Sequence, residues 1–119
     1  MEMIDVSPFA IRVTGPAEGQ HPGIRLIRLP KGRTIAGRNL AVDVYIAERF
    51  AAQRHFVLDW DDQLERHPLS VWGINGLILN GTFLPQGTER RPLSVGDELR
   101  IGGVSLRHES VSETPDIAG

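Results

Sequence analysis

Residues 37–46 read Gly37-Arg38-Asn39-Leu40-Ala41-Val42-Asp43-Val44-Tyr45-Ile46, and residues 55–60 read His55-Phe56-Val57-Leu58-Asp59-Trp60. Apolar and polar residues alternate through 42–46 and through 55–60, which is the pattern of a strand with one buried face. The intervening segment 46–54 has a helix-favouring composition, but it is short and lacks a capping signal, so we interpret it as a loop. The sequence therefore predicts two strands, over 42–46 and 55–60, joined by a long loop. The side chains predicted to face inward from the second strand are Phe56, Leu58 and Trp60.

Short alternating segments continue on both sides of this region. Residues 9–13 place Phe9, Ile11 and Val13 on one face of a predicted first strand. Thirteen glycines and eight prolines separate the segments, as expected of a domain built from strands and frequent turns. The other predicted strands cover residues 23–29, 34–36, 69–72, 78–79, 98–101 and 104–107. The sequence thus predicts an all-β domain of about ten short strands.

The size and composition of the chain limit its organisation. A length of 119 residues suits one domain with one hydrophobic core. We predict a flexible tail over residues 1–5, a folded domain over 6–110 and a second flexible tail over 111–119, because both tails carry few core residues. No cationic segment followed by an apolar run opens the chain, and no apolar window is long enough to span a bilayer. We expect a cytoplasmic protein, or the cytosolic domain of a membrane-anchored one.

Charge and cysteine content exclude several classes of function. The chain has 13 basic and 15 acidic residues and a formal charge of −2, so it lacks the cationic field that drives nucleic-acid binding. It also has no cysteine, which excludes disulfides, thiolate zinc ligands and a cysteine nucleophile. Neither nucleic acid nor direct membrane contact is therefore expected among its partners.

Two groups of motifs together resemble the forkhead-associated (FHA) domain family. The first group is Gly37-Arg38, then Asp43-Val44-Tyr45-Ile46, then His55, which matches the family pattern GR, DIxL and SxxHA. The second is Asn75-Gly76, then Asn80-Gly81, then the run 93–102 with Gly96-Asp97, which resembles NGTxxNG and LxxGDxIxxG. Order and spacing agree from residue 37 to residue 102. The resemblance implies an FHA-type (SMAD/FHA-like) β-sandwich of two antiparallel sheets with ten to eleven strands, whose loops at one end form a recognition surface.

The same resemblance implies a ligand and the residues that hold it. In the family, an arginine and a serine bind the phosphate of a phosphothreonine peptide, and an asparagine holds the peptide backbone. Arg38 matches the arginine and Asn75 the asparagine, and a guanidinium and a carboxamide suit these two tasks. The resemblance also implies structural positions for Gly37, His55, Gly76, Asn80, Gly81, Gly96 and Asp97.

Four positions depart from the family pattern. The family serine falls on Ala52, and the basic residue that follows it falls on Gln53. The serine that opens the second group falls on Gly73, and the threonine after Asn-Gly falls on Leu77. A hydrogen bond to a charged group contributes about 1.5–3 kcal/mol, so these departures predict weakened phosphothreonine binding. The cations that could replace the lost charge are Arg49 and Arg54.

Structural interpretations of the same residues remain open. Arg38 could form a surface ion pair, and Asn75 and Asn80 could simply occupy Asn-Gly turns with positive φ. His55 suits a buried ring that binds loop backbone better than it suits a catalyst. The remaining histidines, His21, His67 and His108, lack metal-ligand spacing. The acidic turn that contains Asp59, Asp61, Asp62 and Glu65 lacks the spacing of a calcium loop and is expected to be a solvated hairpin tip.

Two functions follow, and neither is enzymatic or needs a cofactor. The first is a signalling adaptor that binds phosphothreonine peptides through Arg38 and Asn75. The alternative is a phosphate-independent structural domain, similar to the cytosolic FHA-like parts of inner-membrane ring proteins of bacterial type III secretion systems. The changes at Ala52, Gln53 and Gly73 favour the alternative. The expected partners are proteins or phosphopeptides, with self-association through an exposed sheet edge as a further hypothesis.

Overall fold

The computed structural model describes residues 5–16 and 23–111, and in these ranges the chain forms ten strands in two sheets. The strands are β1 (Val6–Thr14), β2 (Ile24–Pro30), β3 (Arg33–Gly37), β4 (Val44–Tyr45), β5 (Phe56–Asp59), β6 (Leu69–Val71), β7 (Leu77–Leu79), β8 (Thr82–Leu84), β9 (Glu98–Ile101) and β10 (Val104–Ser110). One sheet has the order β2-β1-β10-β9-β7-β8 and the other the order β4-β3-β5-β6. The predicted β-sandwich is therefore confirmed.

The core lies between the two sheets and follows the predicted alternation. Phe9, Ile11 and Val13 of β1 are buried, and so are the inward-facing side chains of β9 and β10. The fully buried large apolar side chains are Phe56, Ile11, Leu29, Ile46, Leu58, Leu69, Leu93, Leu99 and Leu106. Trp60 packs against this core but stays partly exposed. One buried core thus holds the two sheets together.

Several details differ from the sequence-based prediction. The strand predicted over 42–46 shortens to Val44–Tyr45, and it pairs in parallel with β3, whereas the other pairs are antiparallel. β8 was not predicted; it pairs with β7. Val57 is buried as well as its neighbours Phe56 and Leu58, so the outer face of β5 is also covered. Segment 46–54 contains turns and no helix, as interpreted from the sequence.

The predicted boundaries of the folded domain, at residues 6 and 110, lie next to the ends of the described residues. The N–H of Lys31 donates to the carbonyl of Asp5 at 2.9 Å, and the N–H of Val111 donates to that of Pro8 at 2.7 Å. Residues 1–4 and 112–119, which make up most of the two predicted tails, lie outside the described residues, and so does His21. Within the described ranges, the chain forms no helix with the length and hydropathy needed to cross a membrane.

Two buried histidines lie together near the end of β10. The rings of Phe9 and His108 stack at 4.9 Å, and Trp60 meets His67 edge-on at 5.0 Å. Burial lowers the pKa of both His67 and His108 from the ordinary value of 6.5. The pKa of His108 is lowered further by the imidazole of His67 and by Arg66, and it is raised by Asp97. Asp59 raises the pKa of His67. Both rings therefore favour the neutral form in the folded protein.

Acidification is expected to lower the free energy of unfolding through these two rings. The pKa of each imidazole is lower in the folded chain than in the unfolded chain, so the unfolded chain binds protons first as the pH falls. The contribution of the two neutral imidazoles to the free energy of unfolding is therefore complete above about pH 6.5 and is lost as the pH falls below it. Denaturant unfolding at pH 8, 7, 6 and 5 measures the effect. A His108→Leu variant should show a smaller loss between pH 7 and pH 5. An unchanged loss in this variant would mean that other groups control the acid sensitivity.

Candidate functional site

Three loops meet at one end of the sandwich. They follow β3 (38–43), precede β5 (46–54) and join β6 to β7 (72–76). The N–H of Arg38 donates to the carbonyl of Ala52 at 2.9 Å, and the N–H of Ile46 donates to that of Gly37 at 2.8 Å. Backbone hydrogen bonds therefore join the first loop to the second at the position of Arg38.

His55 connects the same loops from below. Its side chain is fully buried; Nδ1 accepts the N–H of Ala52 at 2.9 Å, and Nε2 lies 2.7 Å from the carbonyl oxygen of Gly76. Because Nδ1 accepts, Nε2 must carry the hydrogen and donate it to Gly76. The backbone carbonyl of His55 also accepts the N–H groups of Trp72 and Gly73. One neutral imidazole thus determines the relative positions of two loops.

Two glycines allow this close packing. A Cβ atom at Gly37 would lie 2.1 Å from the carbonyl oxygen of Gln53, and one at Gly73 would lie 2.2 Å from Nδ1 of His55. Both distances are far below van der Waals contact, so the packing requires glycine at each position. Gly73 stands where the second group of family motifs opens with a serine, and without a Cβ atom the 72–76 loop lies directly against the imidazole.

Asn75 is held by the loop that contains Ala52. Its side-chain Nδ2 donates to the carbonyl of Phe50 at 2.9 Å, and the residue is exposed. This bond uses one amide hydrogen, and the carboxamide has a second hydrogen and a carbonyl oxygen with which to bind an extended backbone. Arg38 and Asn75 are therefore both attached to segment 50–52, at the same end of the fold.

An apolar groove of about 300 Å³ begins beside Asn75. Its exposed apolar side chains belong to Phe50, Ile78 and Phe83, and its floor includes the turn at Gly102. Phe50 is 51% exposed and Phe83 is 59% exposed, values that are high for large apolar groups. The groove can therefore accept an apolar side chain of a ligand that passes over Asn75.

Glu48 fastens the loop to the turn between β9 and β10. Its carboxylate accepts the N–H of Gly103 at 2.9 Å and that of Phe50 at 3.3 Å. The hydrogen bond from Gly103 is the main cause that lowers the pKa of Glu48. The charged carboxylate thereby positions Phe50, whose carbonyl in turn holds Asn75.

The loops in which the sequence predicts a phosphate site carry exposed cations. Arg38 and Arg54 are exposed, and the guanidinium of Arg49 lies 4.9 Å from the centre of the Phe50 ring. Ala52 is partly buried and offers only a methyl group, and the exposed Gln53 lies 3.5 Å from the side chain of Asn39. The loop end is thus cationic but lacks the hydroxyl of the family pattern.

The remaining predicted motif residues lie at the other end of the sandwich. Asn80 and Gly81 both have positive φ, 49° and 85°, and form the turn between β7 and β8. Asn80 donates to Oδ1 of Asp97 at 2.9 Å, and its own Oδ1 accepts the N–H of Glu98. The turn that contains Gly96 also lies there, where the N–H of Gly96 donates to the carbonyl of His108. These residues connect strands and contribute nothing to the loop end.

The other Asn-Gly pair differs in detail from its structural interpretation, whereas the acidic turn forms an exposed hairpin tip closed by the bridge between Asp61 and Arg66. In Asn75-Gly76 only the glycine has positive φ, at 64°. The carboxylate of Asp61 accepts the N–H groups of Gln63 and Leu64 and forms an ion pair with Arg90, so it stabilises the hairpin tip. Within residues 5–16 and 23–111, no three histidine, aspartate or glutamate side chains are grouped as metal ligands would be.

Sequence reasoning missed Glu48, Gly73 as a packing position, and the apolar groove. Glu48 and Gly103 are 55 positions apart, so their contact has no local sequence signal. The groove had one signal that could have been used, because Ile78 and Phe83 are opposite each other in the β7–β8 pairing and share an outward face.

Comparisons with known proteins concern the family and the fold of the chain. The FHA domain family model matches residues 34–102, which is more than half of the chain. None of the curated proteins compared with the chain matches it. Among solved structures, the FHA domain of CT664 from Chlamydia trachomatis is 15% identical with a TM-score of 0.69, and the alignment covers 89% of this chain and 100% of that one.

Two further structures are similar. The Slr1951 protein from Synechocystis sp. is 23% identical with a TM-score of 0.69, and the alignment covers 87% of this chain and 99% of that one. The N-terminal FHA domain of Rad53p from S. cerevisiae, solved in complex with a phosphothreonine peptide, is 24% identical with a TM-score of 0.67. That alignment covers 85% of this chain and 93% of the other. At these identities the likeness concerns the fold.

Proposed function

This chain belongs to the FHA domain family, and from that premise we propose that it is a non-catalytic module that binds phosphothreonine-containing peptides of partner proteins. The observation that carries the proposal is the attachment of Arg38 and Asn75 to one loop segment, 50–52, within a loop end held by the buried His55. A residue with a guanidinium suited to phosphate and one with a carboxamide suited to backbone are thereby attached to the same segment of one loop.

The phosphate site is proposed to be weakened. Ala52 replaces the hydroxyl that the family uses, and a charge-assisted hydrogen bond of this kind contributes about 1.5–3 kcal/mol. Arg54 supplies an exposed cation in the same loop, which favours partial compensation. The groove beside Asn75 offers a second contact that does not depend on phosphate. The resulting ligand is a phosphothreonine peptide that also carries an apolar residue near the modified threonine.

The second candidate is a phosphate-independent structural domain, such as the FHA-like part of a secretion-system inner-membrane ring protein. Ala52 and Gln53 favour it because they remove a hydroxyl and a cation from the phosphate site. Gly73 favours it too, because its Cβ position is filled by the His55 ring. In this case the apolar groove, rather than Arg38, would provide the contact with the partner.

A peptide-library titration separates the two candidates. We expect binding that requires the phosphate and that falls at least roughly tenfold in Arg38→Ala, because one charge-assisted contact is lost. Arg107→Ala is the matched control, since Arg107 is also exposed but lies on β10, in the outer face of the larger sheet. Equal binding of phosphorylated and unphosphorylated peptides, unaffected by Arg38→Ala, would reject phosphate recognition in favour of the structural domain.

A further inference from the structure

The segment that follows β10 has the charge and composition of a ligand for the loop end. Residues 112–119 read Ser112-Glu113-Thr114-Pro115-Asp116-Ile117-Ala118-Gly119, with two acidic residues and no basic one. The loop end presents the exposed Arg38, Arg49 and Arg54. A phosphate on Thr114 would add about −1.5 to −2 charge to a segment that is already acidic. The phosphorylated segment and these cations of the loop end therefore carry opposite charges.

The residues around Thr114 also suit the rest of the site. A residue that precedes proline is disfavoured in helical backbone, so Pro115 favours the extended conformation that a carboxamide such as Asn75 can bind. Ile117 is the one large apolar residue of segment 112–119, three positions after Thr114. Three extended residues span roughly 10 Å. The groove begins beside Asn75 and is lined by Phe50, so we expect Ile117 of a peptide that passes over Asn75 to enter it.

Chain length prevents this segment from reaching the loops of its own domain. The turn at Gly103 contacts the loop end through Glu48, and β10 then runs away from it to Val111, which is bound to Pro8. Eight residues of strand correspond to about 26 Å. Thr114 lies three residues beyond Val111 and can return at most about 11 Å. The partner of the segment must therefore be another molecule.

We propose that segment 112–119, phosphorylated on Thr114, binds the Arg38 and Asn75 site of a second copy of this chain. The proposal rests on the proposed function, because it names one ligand of that same site. A threonine kinase would transfer the γ-phosphoryl group of a nucleoside triphosphate to Oγ1 of Thr114. A new P–O bond replaces the bond to the β-phosphate oxygen, the nucleoside diphosphate leaves, and the hydroxyl proton passes to a base of the kinase.

The resulting contact joins two different surfaces of the molecule. The loop end of one copy receives the segment that follows Val111 in the sequence of the next. Such a heterologous contact builds an open chain of copies, unless the rotation that relates successive copies closes the chain into a ring. Phosphorylation is therefore expected to produce short head-to-tail oligomers that grow with concentration, in contrast to a symmetric dimer.

Complementary variants of the whole chain test this arrangement. One protein carries phosphothreonine at 114 together with Arg38→Ala, so it can only donate its segment. The other carries Thr114→Ala, so it can only receive one. Light scattering after size-exclusion chromatography should give monomers for each alone and a 1:1 complex, with doubled mass, for the mixture. Ile117→Asp in the donor should reduce the complex, and the unphosphorylated donor should form none.

An unrelated phosphothreonine peptide that binds the receiver separates two kinds of failure. If it binds in an Arg38-dependent manner while donor and receiver remain monomers, the head-to-tail proposal is overturned and the proposed function stands. If no phosphothreonine peptide binds, the proposed function fails and this inference fails with it. A phosphorylated chain with intact Arg38 that stays monomeric and no longer binds added peptide would indicate binding within one molecule, which also overturns the proposal.

Discussion

Replacing His55 with alanine is expected to lower the free energy of unfolding by about 3–5 kcal/mol, the range for truncating a large buried ring, and to abolish ligand binding. The imidazole is fully buried, and its loss leaves the N–H of Ala52 and the carbonyl of Gly76 without their partner. Unsatisfied buried groups of this kind add to the cost of the cavity. Denaturant unfolding and phosphopeptide titration measure the two effects.

His67→Ala is the matched control for this prediction. His67 is equally buried and bonded to a backbone carbonyl, that of Pro30 at 2.8 Å, but it lies at the other end of the sandwich. Its truncation should destabilise the fold while leaving the affinity of the folded fraction nearly unchanged. Similar affinity losses in both variants would mean that binding follows global stability, and that His55 has no specific role in holding the loops.

The fold was predictable because its signals are local and repeated. The alternation Phe9, Ile11, Val13 specifies one buried face of β1 regardless of what packs on it. Val57 departs from the alternation because its outward position is also buried, as is that of Ala10 on β1. Trp72 and segment 87–90 line the same hollow as Val57 on the outer face of the smaller sheet. No alternation in β5 itself could indicate that cover, because it comes from elsewhere in the chain.

The site was predictable only where a motif residue also has a local structural reason. Gly37-Arg38 and Asn75-Gly76 stand out in the sequence, and the fold brings both to segment 50–52. Glu48 does not stand out, because its importance arises from a contact with a turn that only the folded chain brings near. Exposure of Phe50 likewise depends on how that loop is anchored. Side chains that position others therefore remain hidden from sequence reasoning, whereas those that match a family pattern do not.

A serine of the family pattern can be restored at position 52 but not at position 73. Gly73→Ser would place Cβ 2.2 Å from Nδ1 of His55, so the added atoms collide with the ring that organises the site. Ala52 already carries a Cβ atom and is partly buried at the edge of the loop. Among the two missing serines, only the one at position 52 can be added without displacing His55.

Ala52→Ser is therefore expected to strengthen phosphothreonine binding by roughly tenfold to a hundredfold, the equivalent of one hydrogen bond to a charged group. The backbone of Ala52 is already fixed, since its N–H donates to His55 and its carbonyl accepts the N–H of Arg38. A serine hydroxyl would thus be added beside Arg38 without further ordering of the loop. Titration of phosphorylated and unphosphorylated forms of one peptide measures the gain, which should appear only for the phosphorylated form.

Ala47→Ser provides the matched control, because Ala47 is also a partly buried alanine of the same loop but borders Gly15 and Val104 instead of Arg38. It should leave affinity unchanged. The gain from Ala52→Ser should also vanish when Arg38→Ala is added, since hydroxyl and guanidinium are expected to bind the same phosphate. An Ala52→Ser variant that folds normally yet binds phosphorylated peptide no better than the parent chain would show that the loop no longer forms a phosphate site. The groove beside Asn75 would then be the contact to test next, with Phe83→Asp as the variant.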